Sequence, residues 1–108
     1  MQDAPVQVVT VTPNAAIDWT LVVPGFAAGR VNRAESELSQ AAGKGVNVAA
    51  ALAGHRVRTA ATGFLGRDNA APFEALFARA GIADRFVRIP GATRVGIKIT
   101  DPLGQQTT

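Results

Sequence analysis

Cysteine is absent from the 108-residue chain, and so is tyrosine. Without cysteine there is no disulfide framework, the device by which many small secreted domains make up for a thin core, so a reducing, cytoplasmic setting is expected. Histidine occurs once, at His55, and no metal cluster of His, Cys, Asp and Glu is apparent. Aromatic residues make up 6% and hardly interleave with basic ones, which argues against a nucleic-acid surface. No apolar run approaches the roughly 20 residues that span a bilayer. Met1–Pro5 lacks the basic-then-apolar order of a secretory signal. Charged residues are only 18%, against 47% hydrophobic ones, and that balance excludes the composition of a disordered chain.

What is present is an apolar-rich chain of one-domain size with a formal net charge of +3. Its eleven Lys and Arg are scattered without a basic run. That surface suits small anionic substrates, and an uneven balance in a truncated chain explains it equally well.

Val6–Thr12 is β-branched and mostly apolar, the pattern of a buried strand in a parallel sheet. Trp19–Val23 and Val31–Leu38 read as further strands, the latter too polar for a central position. Val46, Ala49, Ala50 and Ala53 fall at i, i+3, i+4 and i+7, one face of a helix small enough to sit close on a sheet, with Gly54 as its stop. Val57–Phe64 reads as a strand. A second helix follows, with Asp68 or Asn69 as cap, Pro72 in its first turn, Phe73, Leu76, Phe77 and Ala80 on its apolar face, and Gly81 at its end. Phe86–Ile89 and Arg94–Thr100 read as strands joined by Pro90-Gly91. Asp101–Gly104 reads as a turn, and Gln105–Thr108 as the start of a further element. Strands alternating with helices imply a parallel sheet with right-handed crossovers, while the more polar strands suggest a second, smaller sheet.

Ala42-Gly43-Lys44-Gly45-Val46-Asn47-Val48-Ala49 is the informative stretch. It is not a Walker A loop, because Gly45 follows the lysine where Ser or Thr is needed. It is not a dinucleotide fingerprint, because Val48 stands in the third glycine's place. Two glycines opening a helix let a backbone approach a ligand, and the helix amino terminus favours anionic or oxygen-rich groups. Lys44 adds a cation, and Asn47, one turn in, offers a donor and an acceptor suited to a hydroxyl. A plain glycine-rich loop packing a helix on a sheet accounts for the segment as well.

The segment resembles the first signature of the PfkB (ribokinase-like) carbohydrate kinases, with similar spacing to Gly66. Thr12-Pro13-Asn14-Ala15-Ala16-Ile17-Asp18 is similar to the first-strand loop of members acting on fructose 1-phosphate or tagatose 6-phosphate, where an aspartate binds sugar hydroxyls. Gly29–Arg33 resembles one lid strand of the family. Thr93–Lys98 resembles another, whose arginine contacts the substrate phosphate, and Ala61–Gly66 is similar to the strand and turn after the first helix. The resemblance covers nearly the whole chain. It implies an α/β, ribokinase-like fold, a parallel sheet flanked by helices with a small accessory β-sheet lid. Residues 1–108 would be the amino-terminal part of that kinase domain, with lid strands about 19–38 and 86–100.

The same resemblance implies ATP-dependent phosphorylation of fructose 1-phosphate at its C6 hydroxyl, with tagatose 6-phosphate or fructose 6-phosphate as alternative acceptors. A non-catalytic sugar-phosphate-binding module is the rival of another class. By the resemblance, Asp18, Gly43, Lys44, Asn47 and Arg94 hold the acceptor. The family's catalytic aspartate sits in a Gly-Ala-Gly-Asp loop that does not occur in these 108 residues, so it is expected beyond residue 108, together with the sites for ATP and Mg²⁺. The implied partners are a small sugar phosphate and a second copy through the lid, not nucleic acid or membrane. Trp19 reads as lid packing, His55 as a surface residue, and Arg30 and Arg33 as exposed charges outside the site. Three departures from the family pattern stand out. Ala42-Gly43 replaces Gly-Gly, and Pro13-Asn14-Ala15 replaces Asn-Pro-Ala. Arg56 takes the place of a glycine near the end of the first helix, with Gly54 expected to supply the positive φ at a small cost in stability.

Overall fold

A computed structural model describes residues 5–104 and the backbone of 106 and 107. Met1–Ala4, Gln105 and Thr108 lie outside the described residues, and so do the expectations for the amino-terminal segment and for the two ends of the last stretch. Among the described residues no helix is long and apolar enough to cross a membrane. The elements run β1 (Val8–Thr12), β2 (Ala16–Val22), β3 (Ser36–Ala42), α1 (Lys44–Gly54), β4 (Thr59–Gly66), α2 (Ala71–Ala80), β5 (Ala83–Asp84), β6 (Val87–Ile89), β7 (Val95–Asp101) and β8 (Gln106–Thr107).

Two sheets result. In the first, β1 and β4 are parallel with Val8 opposite Thr59 and Thr12 opposite Gly63. The far edge of β4 pairs with β5 near Ala60 and with β6 near Phe64, both parallel. Between β5 and β6 the chain turns Phe86 inward, where its ring stacks on Phe77 at 5.5 Å and lies 6.4 Å from Phe73. In the second sheet the order is β3-β2-β7-β8, with β2 antiparallel to β3 and parallel to β7. Strand 87–89 therefore belongs to the first sheet rather than the lid, because its register on β4 continues the parallel ladder.

The core explains these choices. Val46 and Ala49 of α1 and Phe73 and Phe77 of α2 are buried in one cluster with Ala61, Leu65, Ile82 and Phe86. Truncating one of the buried phenylalanines would cost about 3–5 kcal/mol. The helices cover one face of the first sheet only. On the other face Val9 is 48% exposed and Val11 62%, so β1 is buried on one side, not on both as its run of apolar residues implied.

Three local expectations are corrected. The stretch before β3 is a loop up to Ser36, since Asn32 uses its side chain to bridge the Ala27 N–H (3.1 Å) and the Ala27 carbonyl (2.9 Å), and Val31 is 93% exposed. A residue spending its amide on the local backbone competes with strand pairing. Neither Asp68 nor Asn69 caps α2, whose first flanking residue is Ala70. Asp68 and Asn69 belong to a 3₁₀ turn, and Asn69 instead clamps Thr93, accepting from its N–H at 2.7 Å and donating to its carbonyl at 2.9 Å. At the end of α1 it is Arg56, not Gly54, that takes the left-handed conformation, with φ 63°.

Three carboxylates brace the periphery. Arg88 of β6 forks onto both oxygens of Asp84 (3.0 and 2.6 Å) and reaches Glu74 of α2 at 2.8 Å. These bonds, Arg88's hydrogen bond foremost, hold the Asp84 carboxyl below its ordinary value. Asp101, at the end of β7, accepts from the backbone N–H groups of Gly25 and Leu103, which holds its carboxyl low as well and ties the loop after β2 to the turn after β7.

Arg56→Gly is expected to stabilise the fold by about 0.5–1 kcal/mol in denaturant unfolding, since glycine adopts positive φ without a Cβ clash and offsets its own unfolded-state entropy. Asp84 carries a second expectation. Its folded value lies below its unfolded one, so its contribution is complete above about pH 4 and is lost as pH falls through the lowered folded value. Arg88→Ala should cost about 1 kcal/mol at neutral pH and flatten the loss of stability below pH 4. An unchanged acid limb would count against the clamp.

Candidate functional site

The carboxyl end of β1 meets the amino end of α1, and what separates them is glycine backbone. Gly43 precedes the helix at φ 138° and ψ 147°, a region closed to side chains, and a Cβ there would lie 2.7 Å from the Thr12 methyl. Gly45 is helical, yet a Cβ on it would collide with the Thr12 hydroxyl and lie 2.9 Å from the Val11 carbonyl oxygen. Both glycines are thus required by the seat of the helix on the strand. The close approach that the sequence pattern assigned to a ligand is, in this structure, an approach to β1.

That seat aims the residues of the loop. Lys44, between the glycines, is exposed at the first position of α1. No side chain caps the helix and no acidic residue lies in its first turn, so its positive end is uncompensated. Lys44 and Gly45 line a recess of about 400 Å³ together with Val11, Thr12, Pro13, Asn14 and Arg94. Two cations and no carboxylate border it. Arg94 comes from the residue before β7, where its carbonyl accepts the Ile17 N–H at 2.9 Å, and its Nε donates to Asn14 Oδ1 at 3.1 Å. The recess is therefore an anion-accepting hollow built from three separate segments of chain.

The remaining predicted residues are not among those that line it. Gly43 is the residue before α1, next in sequence to Lys44 of the wall. Asp18 is exposed on β2, opposite Gln40 on β3 and Gly96 on β7. Asn47 is exposed one turn into α1, with its backbone N–H on the Gly43 carbonyl. Asp18 and Asn47 are not part of the recess wall; they stand on β2 and α1. Trp19 donates Nε1 to Glu37 Oε1 at 3.1 Å, so it spends its polar edge within the lid sheet.

Two residues of the wall escaped the sequence reading as site residues. By sequence Asn14 is part of the loop after the first strand, and only the tertiary contact shows it holding Arg94. Thr12, 4% exposed, has a hydroxyl with no hydrogen-bond partner among the described residues, pressed beneath Gly45. The departure at Pro13-Asn14-Ala15 was the available signal that this loop merits attention.

Comparison with known proteins agrees with this architecture. The family model described as pfkB family carbohydrate kinase matches residues 7–108. The 1-phosphofructokinase of Rhodobacter capsulatus is 51% identical over 104 residues, 94% of this chain and 32% of that protein. Among solved structures, phosphofructokinase-2 from Escherichia coli in complex with substrates and products aligns over 95% of this chain and 34% of its own, with a TM-score of 0.84 at 19% identity. Ribokinase from Thermotoga maritima aligns over 95% of this chain and 35% of its own, with a TM-score of 0.76 at 21% identity. At those identities the two structures establish the fold, which is ribokinase-like α/β. The chain spans about a third of the length of the curated relatives it matches.

Gly45→Ala is expected to destabilise the fold by about 2–3 kcal/mol, because the new methyl meets backbone that cannot yield. Adding Thr12→Ala should restore only part of that, since the Val11 carbonyl remains. Denaturant midpoints of the three proteins test this. A neutral Gly45→Ala would show that the helix can lift off the strand.

Proposed function

The chain belongs to the pfkB family of carbohydrate kinases, and on that premise we propose that it forms the acceptor side of an ATP-dependent kinase converting fructose 1-phosphate to fructose 1,6-bisphosphate. One observation carries the reading. Lys44 at an uncompensated helix amino terminus and Arg94 from the second sheet converge on one recess with no carboxylate in its wall. A phosphate dianion is the ligand such a hollow favours, through Arg94's planar fork and Lys44's point charge. Asp18, Gly43 and Asn47 would then take the sugar hydroxyls, Asp18 from the lid and the other two from the loop and first turn of α1. The choice of fructose 1-phosphate among ketose phosphates is supported by the name of the Rhodobacter capsulatus relative.

In this reading the chain's own residues position the acceptor. Binding the phosphate end at the recess orients the C6 hydroxyl for attack, and orientation of this kind can supply several kcal/mol of a barrier. Closure of the second sheet over the sugar would exclude water. When bound, ATP with Mg²⁺ supplies the phosphoryl group and the charge that stabilises its transfer. Among the described residues no group of three or more Asp, Glu, His or Cys is placed to hold a metal ion. The base that accepts the hydroxyl proton is assigned to chain beyond residue 108. A cytoplasmic location and a lid-to-lid homodimer belong to the same proposal, the latter supported by exposed Leu38, Val95 and Ile97 on the second sheet.

The test is a substrate panel on the full-length enzyme, with residues 1–108 alone as a control. Fructose 1-phosphate should give the highest kcat/KM, and the 108 residues alone should show no ATP-dependent turnover. A clear preference for fructose 6-phosphate or tagatose 6-phosphate overturns the choice of acceptor. Binding of sugar phosphate without turnover by the full-length protein would favour the non-catalytic module.

A further inference from the structure

We propose that Asn14 is a positioning residue for the acceptor phosphate, acting through Arg94. The inference rests on the reading of Arg94 as a phosphate ligand and concerns how that ligand is aimed. Arg94's backbone is fixed by its carbonyl, which pairs with Ile17 at the start of the ladder between β2 and β7. Its side chain is exposed, with several free torsions and much rotamer entropy to lose on binding. Asn14 Oδ1 receives Nε, the donor nearest the stem, at 3.1 Å. Held at Nε, the guanidinium keeps its two terminal nitrogens for a ligand, and those form one face of the fork that matches two phosphate oxygens.

The place of the contact gives it a consequence. Asn14 and Arg94 both border the 400 Å³ recess, and both also border an adjoining hollow of about 170 Å³ lined by Phe64, Gly66, Ile89 and Ala92. The hydrogen bond thus lies on the partition between the two. Among the described residues Asn14 is the one hydrogen-bond partner of the Arg94 side chain, so its loss releases the guanidinium. The chemistry of the acceptor suits the task. A carboxylate at position 14 would hold Nε equally well but would cancel the charge that a phosphate needs. A neutral amide oxygen orients the cation and leaves its charge intact.

The experiment is a double-mutant cycle on the full-length enzyme with fructose 1-phosphate and saturating ATP, comparing wild type, Asn14→Ala, Arg94→Ala and the double variant. Asn14→Ser is run in parallel, because serine keeps the turn propensity of the loop while withdrawing the acceptor from reach. Asn14→Ala and Asn14→Ser should each raise KM about 3- to 10-fold with kcat within about 2-fold of wild type. On the Arg94→Ala background, removing Asn14 should change KM no further. An equal rise in both backgrounds, or a fall in kcat with KM unchanged, overturns the inference, since a residue that merely shapes the loop would behave so. If Arg94→Ala raises KM but neither Asn14 variant does, this inference fails and the reading of Arg94 stands. If Arg94→Ala leaves KM unchanged, both fall.

Discussion

Gly45 lies against the Val11 carbonyl and the Thr12 hydroxyl so closely that no side chain fits between α1 and the end of β1. This contact sets the height and direction of the helix. Val46 and Ala49 then face the core, while Lys44 and Asn47 face outward. The helix delivers the chain to β4 in parallel register with β1, and β4 in turn carries β5 and β6 on its far edge. The contact also brings an uncapped helix terminus to the carboxyl end of a parallel strand, where open α/β sheets commonly bind ligands. Packing and site geometry therefore share one cause, and a change made for either is felt by both.

The second sheet reaches the site from the other side. It leaves the first sheet through the Pro13-Asn14 loop and returns through β3 to Lys44 at the start of α1, so these two connections border the recess. β7 then lies beside β2 in parallel register and places Arg94 across from Asn14, 80 residues away in sequence. Thr93 pins the start of that strand back to the first sheet, its Oγ1 accepting the Gly66 N–H at 2.8 Å while Asn69 holds its backbone. A recess at the junction of the two sheets follows from this path. The open face of the first sheet is a separate matter. Val9, Val11 and Phe64 on it are about half exposed or more.

Much of this was legible along the chain because local rules and tertiary contacts agree there. The apolar faces of α1 and α2 and the strands at β1, β2 and β4 follow from periodicity. Gly81, with φ 74°, ends α2 where the pattern placed the stop. The failures have physical reasons. Asn32 spent its side chain on Ala27, so the loop extended to Ser36 and β3 started late. Asn69 found Thr93 instead of its own helix terminus. Arg56 accepted the left-handed turn that the pattern assigned to Gly54, because the chain must reverse after His55 to bring β4 alongside β1. Each involves a short polar side chain or a turn with several local solutions of similar energy, and distant contacts chose among them.

By itself the sequence determined the composition of the core, the helix and strand periods, and the glycine-lysine-glycine segment, since these depend on residues within a few positions of one another. It also determined that a cation would stand at the start of α1. Only the tertiary structure decided what the two glycines are close to, which is the Thr12 side chain at Gly43 and the Thr12 hydroxyl and Val11 carbonyl at Gly45 rather than open space. It alone brought Arg94 to Asn14, placed β6 in the first sheet, and left Asp18 and Asn47 outside the recess wall. Those outcomes depend on where separate segments meet, and their pairings are set by the shared core and by sheet register, neither of which is written in any one stretch of chain.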